Sequence, residues 1–245
     1  MTPTSALRRG LLIPTFVAAG VFAALIALGT WQVQRKAWKE ALIATVTERL
    51  AAPPSRLPAP AEWAQLDPAK DEYRRVAFAA EFLNEKEALV YTIGSSLRGG
   101  SSDPGYWLFV PARVSGATVM VNRGFVPEGR QHRATWRQGD ANLVIVGVMR
   151  WPERPGLFTP AAEPAKNLWF ARDPTAIAAA KGIGPVAPFY IEQESPPAPG
   201  GLPVTGELKP SFPNNHLGYA LTWYGLALVL ATSYAFWVFA RWHGR

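Results

Sequence analysis

The chain is expected to fold as an α+β membrane protein. Two transmembrane helices would flank an extracytoplasmic, mainly antiparallel β domain, either a small sheet or a partly open barrel. Three observations point there. Long uncharged apolar runs lie near both ends, and arginines sit outside each run. The middle is made of short β-branched and aromatic stretches punctuated by Gly, Pro and Asn, which is the pattern of strands.

The elements follow in order. Residues 1–9 form a tail carrying Arg8 and Arg9, and residues 10–34 contain no charged side chain. A cleaved secretory signal is the competing reading, with Ala27-Leu28-Gly29 as its small-residue cleavage site. The run exceeds the roughly 7–15 residues of a signal's apolar core, and a second span exists, so it reads as an uncleaved anchor. Trp31, Arg35, Trp38 and Leu42 recur at helical spacing, so the helix should continue out of the membrane through residues 35–52. Ala51-Ala52-Pro53-Pro54 should end it, and residues 53–60 read as an extended connector.

Within the β domain, residues 53–212, strands are expected at Arg75 to Phe82, Ala88 to Ile93 and Asn142 to Met149. Tyr106 to Val114 and Thr118 to Asn122 should form a hairpin across Ser115-Gly116, with shorter strands at Leu168 to Phe170 and Phe189 to Ile191. Asp173-Pro174 followed by Thr175 to Lys181 predicts a short capped helix that Gly182 ends. The proline-rich residues 195–206 read as a loop. From Leu217 to Ala240 there is again no charge: about 24 residues at about 1.5 Å each span a bilayer core. The second span is therefore set at residues 217–240, with residues 241–245 as its tail.

Two spans put both termini on one side. Arg8, Arg9, Arg241 and Arg245 in the short tails assign that side to the cytoplasm. Arg35, Lys36 and Lys39 oppose this locally, but a domain of roughly 180 residues translocates largely regardless of charge. Four units of the net charge of +7 sit in those tail arginines. The remaining +3 is too weak to indicate nucleic-acid binding. With no cysteine, disulfides, thiolate metal sites and thiol catalysis are excluded.

The histidines are His132, His216 and His243, with no metal-pair spacing among them. His132 sits in the polar turn Arg130-Gln131-His132-Arg133, which reads as solvated. No nucleophile elbow, Walker loop or dinucleotide fingerprint is present, so no catalytic residues are assigned and the protein is not expected to be an enzyme. His216 differs: it stands at the threshold of an apolar span, where ionisable groups are rare and functional by default. His216, Tyr219 and Trp223 share a helix face by spacing. The ends of the two spans should gather them opposite Trp31, Arg35, Lys36 and Trp38. Imidazole, aromatic walls and cations at one depth suit a haem, whose iron takes His and whose propionates take Arg or Lys. An aromatic belt with snorkelling cations would also contain Trp, Tyr and Arg, and the residues alone leave both readings open. Asn122 and Arg123 at the end of a strand could meet an anionic ligand or a partner. The alternative is a turn in which Gly124 supplies positive φ and Arg123 pairs with a carboxylate.

Several ordered motifs resemble the surfeit locus (Shy-type) cytochrome c oxidase assembly family. They are Leu28-Gly29-Thr30-Trp31-Gln32 with Arg35 and Trp38-Lys39, then Val121-Asn122-Arg123-Gly124. Asn214-Asn215-His216-Leu217 follows, with Tyr219-Ala220 and Thr222-Trp223. Between them Gly105-Tyr106, Phe158-Thr159-Pro160, Asn167 to Phe170 and Arg172-Asp173 also fit. Phe125 stands where that family often has tryptophan, and Gly218 where it often has a larger polar residue. The resemblance implies a non-enzymatic assembly factor, a chaperone for an aa3-type oxidase (respiratory chain complex IV) in aerobic respiration. It would assist delivery of haem a to the catalytic subunit; a haem-independent scaffold is the alternative. By position, His216 is the candidate axial ligand, with Trp31, Arg35, Tyr219 and Trp223 around it. Asn122, Arg123 and Gly124 become candidate partner contacts. No metal is expected apart from haem iron. Expected partners are the oxidase catalytic subunit, a haem a synthase and the lipid bilayer, with no nucleic acid. The short stretch before the first span suggests a bacterial inner membrane protein with a periplasmic central domain.

Overall fold

The computed structural model describes residues 3–94, 102–130, 143–210 and 212–243; for residues 3–10 it gives the backbone course alone. The expectations for His132 and for the tail side chains Arg8, Arg9 and Arg245 lie outside the described residues, as does the first residue of the strand expected from Asn142. The chain divides into two compact units, one of Met1–Thr45 with Phe212–Arg245, the other of Val46–Ser211.

The first unit is a pair of helices, α1 (Pro3–Ala51) and α4 (His216–His243). Both are long and apolar enough to cross a membrane. α1 runs without a break from the apolar stretch into the charged one, since no glycine or proline interrupts residues 30–52. Its last turns belong to the second unit. Val46 is buried there, and the Arg49 guanidinium donates to the carbonyls of Glu72 and Ala69 at 2.8 and 2.9 Å.

The second unit is built on a mixed sheet. Its strands are β1 (Ser55–Arg56), β2 (Arg75–Phe82), β3 (Ala88–Ile93) and β4 (Pro104–Val114). They continue with β5 (Ala117–Pro127), β6 (Leu143–Arg150), β7 (Leu168–Trp169) and β8 (Val186–Ser195). The short helices are α2 (Pro68–Asp71) and α3 (Pro174–Ala180). β2 pairs with β6, β6 with β8, β8 with β5 and β5 with β4. A further β2–β4 pairing through Glu81↔Arg113 and Phe82↔Ala112 closes these five strands into a ring. Val76, Phe78, Val110, Val121, Ile145 and Phe189 fill one core cluster. Trp107, Phe109, Met120, Phe125, Trp169, Ile177 and Tyr190 form a second, which includes residues of β7 and α3.

The sheet is mainly antiparallel, as expected, through β2–β4, β2–β6, β3–β4, β4–β5 and β6–β8, and it is mixed because β1–β2, β3–β7 and β5–β8 run parallel. The extended connector contains β1, whose Ser55 and Arg56 align with Val76 and Ala77. Two local signals match the structure closely, while β8 (Val186–Ser195) is much longer than the expected Phe189 to Ile191. The hairpin turns at Ser115 and Gly116, both at positive φ as a two-residue turn requires. α3 is capped by Asp173, whose carboxylate accepts from the amides of Thr175 and Ala176.

β5 runs five residues past the expected end at Asn122. Phe109 aligns with Asn122 but Trp107 with Phe125, so β5 carries one extra residue across this step, a β-bulge. Gly124 sits in it at φ 132°, and a Cβ there would lie 2.3 Å from the Val204 carbonyl oxygen. That closeness lets Phe125 and Val204 exchange backbone hydrogen bonds of 2.9 and 2.7 Å. Gly124→Ala should therefore cost at least about 2 kcal/mol through φ strain and overpacking. Thermal unfolding of the full chain in detergent checks this against Gly116→Ala, which meets nothing within 4 Å and carries only the φ penalty.

Candidate functional site

α4 starts where the Asn215 carbonyl accepts the Tyr219 amide, so His216 is its first helical residue. His216 is half-buried, and its Nδ1 lies 2.7 Å from the Gln32 side-chain oxygen on α1. Gly29 of α1 faces Tyr224, whose ring leaves no space for a Cβ, and Thr30 pairs with the Tyr224 hydroxyl at 3.1 Å. Farther along, the Thr15 and Tyr234 hydroxyls are hydrogen-bonded. The partners descend on one helix as they ascend on the other, so the pair is antiparallel. Ala220 and Ala227 are the buried residues of α4, and their small side chains allow close packing.

Among the described residues, the side-chain hydrogen bond of His216 goes to Gln32 and to none of its expected companions. Trp31 is 51 % exposed, and the Arg35 guanidinium stacks 4.3 Å over the Trp38 ring on its own helix. Lys36 is held by Glu40 at 2.6 Å. Tyr219 is exposed and Trp223 half-buried. Among the described residues, no hydrogen bond, ion pair or ring contact joins Trp31 or Arg35 to His216, Tyr219 or Trp223. The reason is helical phase: Gln32 is turned about 100° from Trp31, and it is Gln32 that meets α4. In a neutral imidazole whose Nδ1–H donates to Gln32 Oε1, the lone pair falls on Nε2, so that atom could meet an iron.

The β unit holds a second polar cluster, and it is buried. Asn122 and Arg123 are 0 % and 2 % exposed, so the expected polar turn is the interior of a strand. The Arg123 guanidinium lies over the Phe82 ring at 4.3 Å and donates to Asn84 at 3.3 Å. Asn122 bonds the Gly124 amide at 3.1 Å and reaches Glu192. These three residues shape the bulge from inside the fold. Glu192, 2 % exposed, is bracketed by Arg150 at 3.3 Å and Arg172 at 3.7 Å. Each arginine keeps another carboxylate, Glu72 for Arg150 and Glu153 for Arg172. Burial pushes the Glu192 carboxyl up against the pull of both guanidinium groups, and burial likewise raises Tyr190.

Sequence reasoning missed Tyr224, Arg150 and Glu192, and it quoted Gln32 in the motif Leu28-Gly29-Thr30-Trp31-Gln32 without giving it a role. Gln32 also stands out as an amide near the end of an uncharged run. The others are recognised only through partners far along the chain.

The model of the SURF1 family matches residues 19–228. The chain belongs to the SURF1 family. It is 35 % identical to a SURF1-like protein of Monosiga brevicollis over 224 residues, covering 87 % of this chain and 82 % of the relative. It is 36 % identical to Surfeit locus protein 1 of Rattus norvegicus, covering 84 % and 69 % of the two chains. The likeness to Surfeit locus protein 1 of Homo sapiens is also 36 %, covering 84 % and 71 %. The SURF1-family match takes in both the Gln32–His216 contact and the Asn122-Arg123-Gly124 bulge.

The pH response of this SURF1-family chain follows from Glu192. A carboxyl raised in the folded state contributes most below its unfolded pKa of about 4.3, and that contribution is lost as pH rises through the folded value. The melting temperature of the full chain should therefore fall relative to Glu192→Gln as pH rises above about 4.3; parallel curves would refute the raised carboxyl. Arg150→Met removes a counter-charge from buried Glu192 and should cost about 3 kcal/mol, more at pH 8 than at pH 5.

Proposed function

We propose that this SURF1-family protein assists assembly of an aa3-type haem–copper cytochrome c oxidase by holding haem a at the α1–α4 pair before it reaches the catalytic subunit. The observation that carries this reading is His216. It is an imidazole at the start of an apolar helix, with one ring nitrogen held across the helix pair, which in the neutral ring leaves the lone pair on the other. A bound haem a would be cargo, and the residues would bind it without turning it over, so the protein is an assembly factor and not an enzyme. Trp31, Arg35, Tyr219 and Trp223 are its candidate surroundings; the first three are exposed enough to meet a flat ligand or lipid. Its partners would be the oxidase catalytic subunit, a haem a synthase and the bilayer.

We place the protein in the membrane that carries the oxidase, the plasma membrane in a bacterial host. Both termini would be cytoplasmic and the β unit on the opposite side. The absence of cysteine makes this directly testable. A single cysteine replacing exposed Lys70 should react with a membrane-impermeant maleimide in spheroplasts without lysis. Labelling only after lysis would reverse the orientation.

A second reading, the haem-independent scaffold, is favoured by one feature of the β unit. The turn from Gly156 to Thr159 is held by hydrogen bonds of 2.8 and 3.1 Å, and it presents Leu157 and Phe158 at 99 % and 98 % exposure. Large apolar side chains on a stiff turn suit insertion into a protein partner. Co-expression with haem a biosynthesis separates the two readings. Purified protein should carry a haem a spectrum that His216→Ala loses or shifts. Co-purification of the oxidase subunit with no pigment in either form would favour the scaffold.

A further inference from the structure

We infer that Gln32 is a positioning residue for His216: it fixes the imidazole as the Nδ1–H tautomer, so that Nε2 is the atom offered to haem iron. This rests on the haem reading above and adds the residue that orients the ligand.

A neutral imidazole has one N–H and one lone pair, and the hydrogen bond made by one nitrogen decides the role of the other. Here the nitrogen nearer the backbone, Nδ1, is engaged at 2.7 Å by the side-chain oxygen of Gln32, a residue 184 positions away. Both residues sit on long helices, α1 and α4, so neither backbone has to be ordered for the contact to form. One turn on from Gln32, Lys36 is occupied by Glu40, which keeps that ammonium engaged elsewhere. Gln32 thus occupies the outer-shell place that a carboxylate or carbonyl takes behind many metal-bound histidines.

The identity of the acceptor also bears on what the site does. A carboxylate behind the ring would make the imidazole a stronger base and a firmer ligand. An amide oxygen orients the ring while adding no charge. That combination suits a ligand that holds a porphyrin and then releases it. Gln32→Glu should therefore bind haem a at least as tightly as the natural chain and transfer it more slowly, and Gln32→Leu should bind it about 10–100-fold more weakly.

The test uses the full chain in lipid nanodiscs, labelled with 15N-histidine and without a histidine tag. His132→Gln and His243→Gln leave His216 as the sole imidazole. In the haem-free protein, NMR should report protonated Nδ1 with Gln32 or Gln32→Glu, and a shift towards protonated Nε2 in Gln32→Leu. Titration with haem a then supplies the affinities, and retention of helical circular dichroism shows that each variant is folded. A tautomer and an affinity both unchanged in Gln32→Leu would overturn the role of Gln32 while leaving the haem reading intact. A tautomer that responds to Gln32→Leu in a protein that binds no haem a in any form would overturn the haem reading, and with it the purpose given to Gln32.

Discussion

Between two helices lined with apolar side chains, an imidazole and an amide oxygen meet at 2.7 Å, and the functional reading depends on that contact. A polar group in hydrocarbon has no water to turn to, so its partner must come from the protein. Among the described residues, the contact is one of three such pairings along α1 and α4, with Thr30–Tyr224 and Thr15–Tyr234 farther along. Each contributes modestly, on the order of 0.6 kcal/mol by measurements in other membrane helices. Their combined effect is register: the helices cannot slide by a turn without separating all three. Gly29 adds a steric condition, since only hydrogen fits beside the Tyr224 ring. The position of His216 is thus set by the whole pair and not by its own neighbours in sequence.

The β unit solves a different problem. Its ring of five strands closes through a parallel β5–β8 pairing and a short β2–β4 contact, and charged residues lie buried within the fold. Arg150, Arg172 and Glu192 are each shared between more than one partner or ring. Such a cluster is a weak source of stability but a strong constraint on arrangement, because removing one member strands another. The bulge at Gly124 belongs to this system, through Asn122 and its contact with Glu192.

Much of the fold was legible locally. β2 and β3 begin and end where the sequence pattern placed them, because β2 alternates between buried and less buried positions and β3 is an apolar run between Glu87 and Gly94. Asp173 and Pro174 announced α3 by capping chemistry. β5 was cut short because Asn122 and Arg123 look like turn residues. Their burial depends on Glu192 and Asn84, which lie 70 and 39 residues away, and no local window contains them. The parallel partner of β5 was hidden for the same reason. At the candidate site, the spacing of His216, Tyr219 and Trp223 was readable, whereas the facing side of α1 was not. Helical period fixes which residues share a face, but the rotation of one helix against another is set by packing. Here Gly29 and Gln32 take that side instead of Trp31 and Arg35.

The central claim is that His216 contacts haem iron, and pulsed electron paramagnetic resonance of the ferric, haem a-loaded full chain addresses it most directly. With His132 and His243 replaced by glutamine, 15N-histidine labelling should alter the nitrogen modulation of the ferric iron signal, because the sole labelled imidazole is bound to the metal. A modulation identical in 14N and 15N samples, with haem a still present, would place the iron on some other ligand and contradict the account.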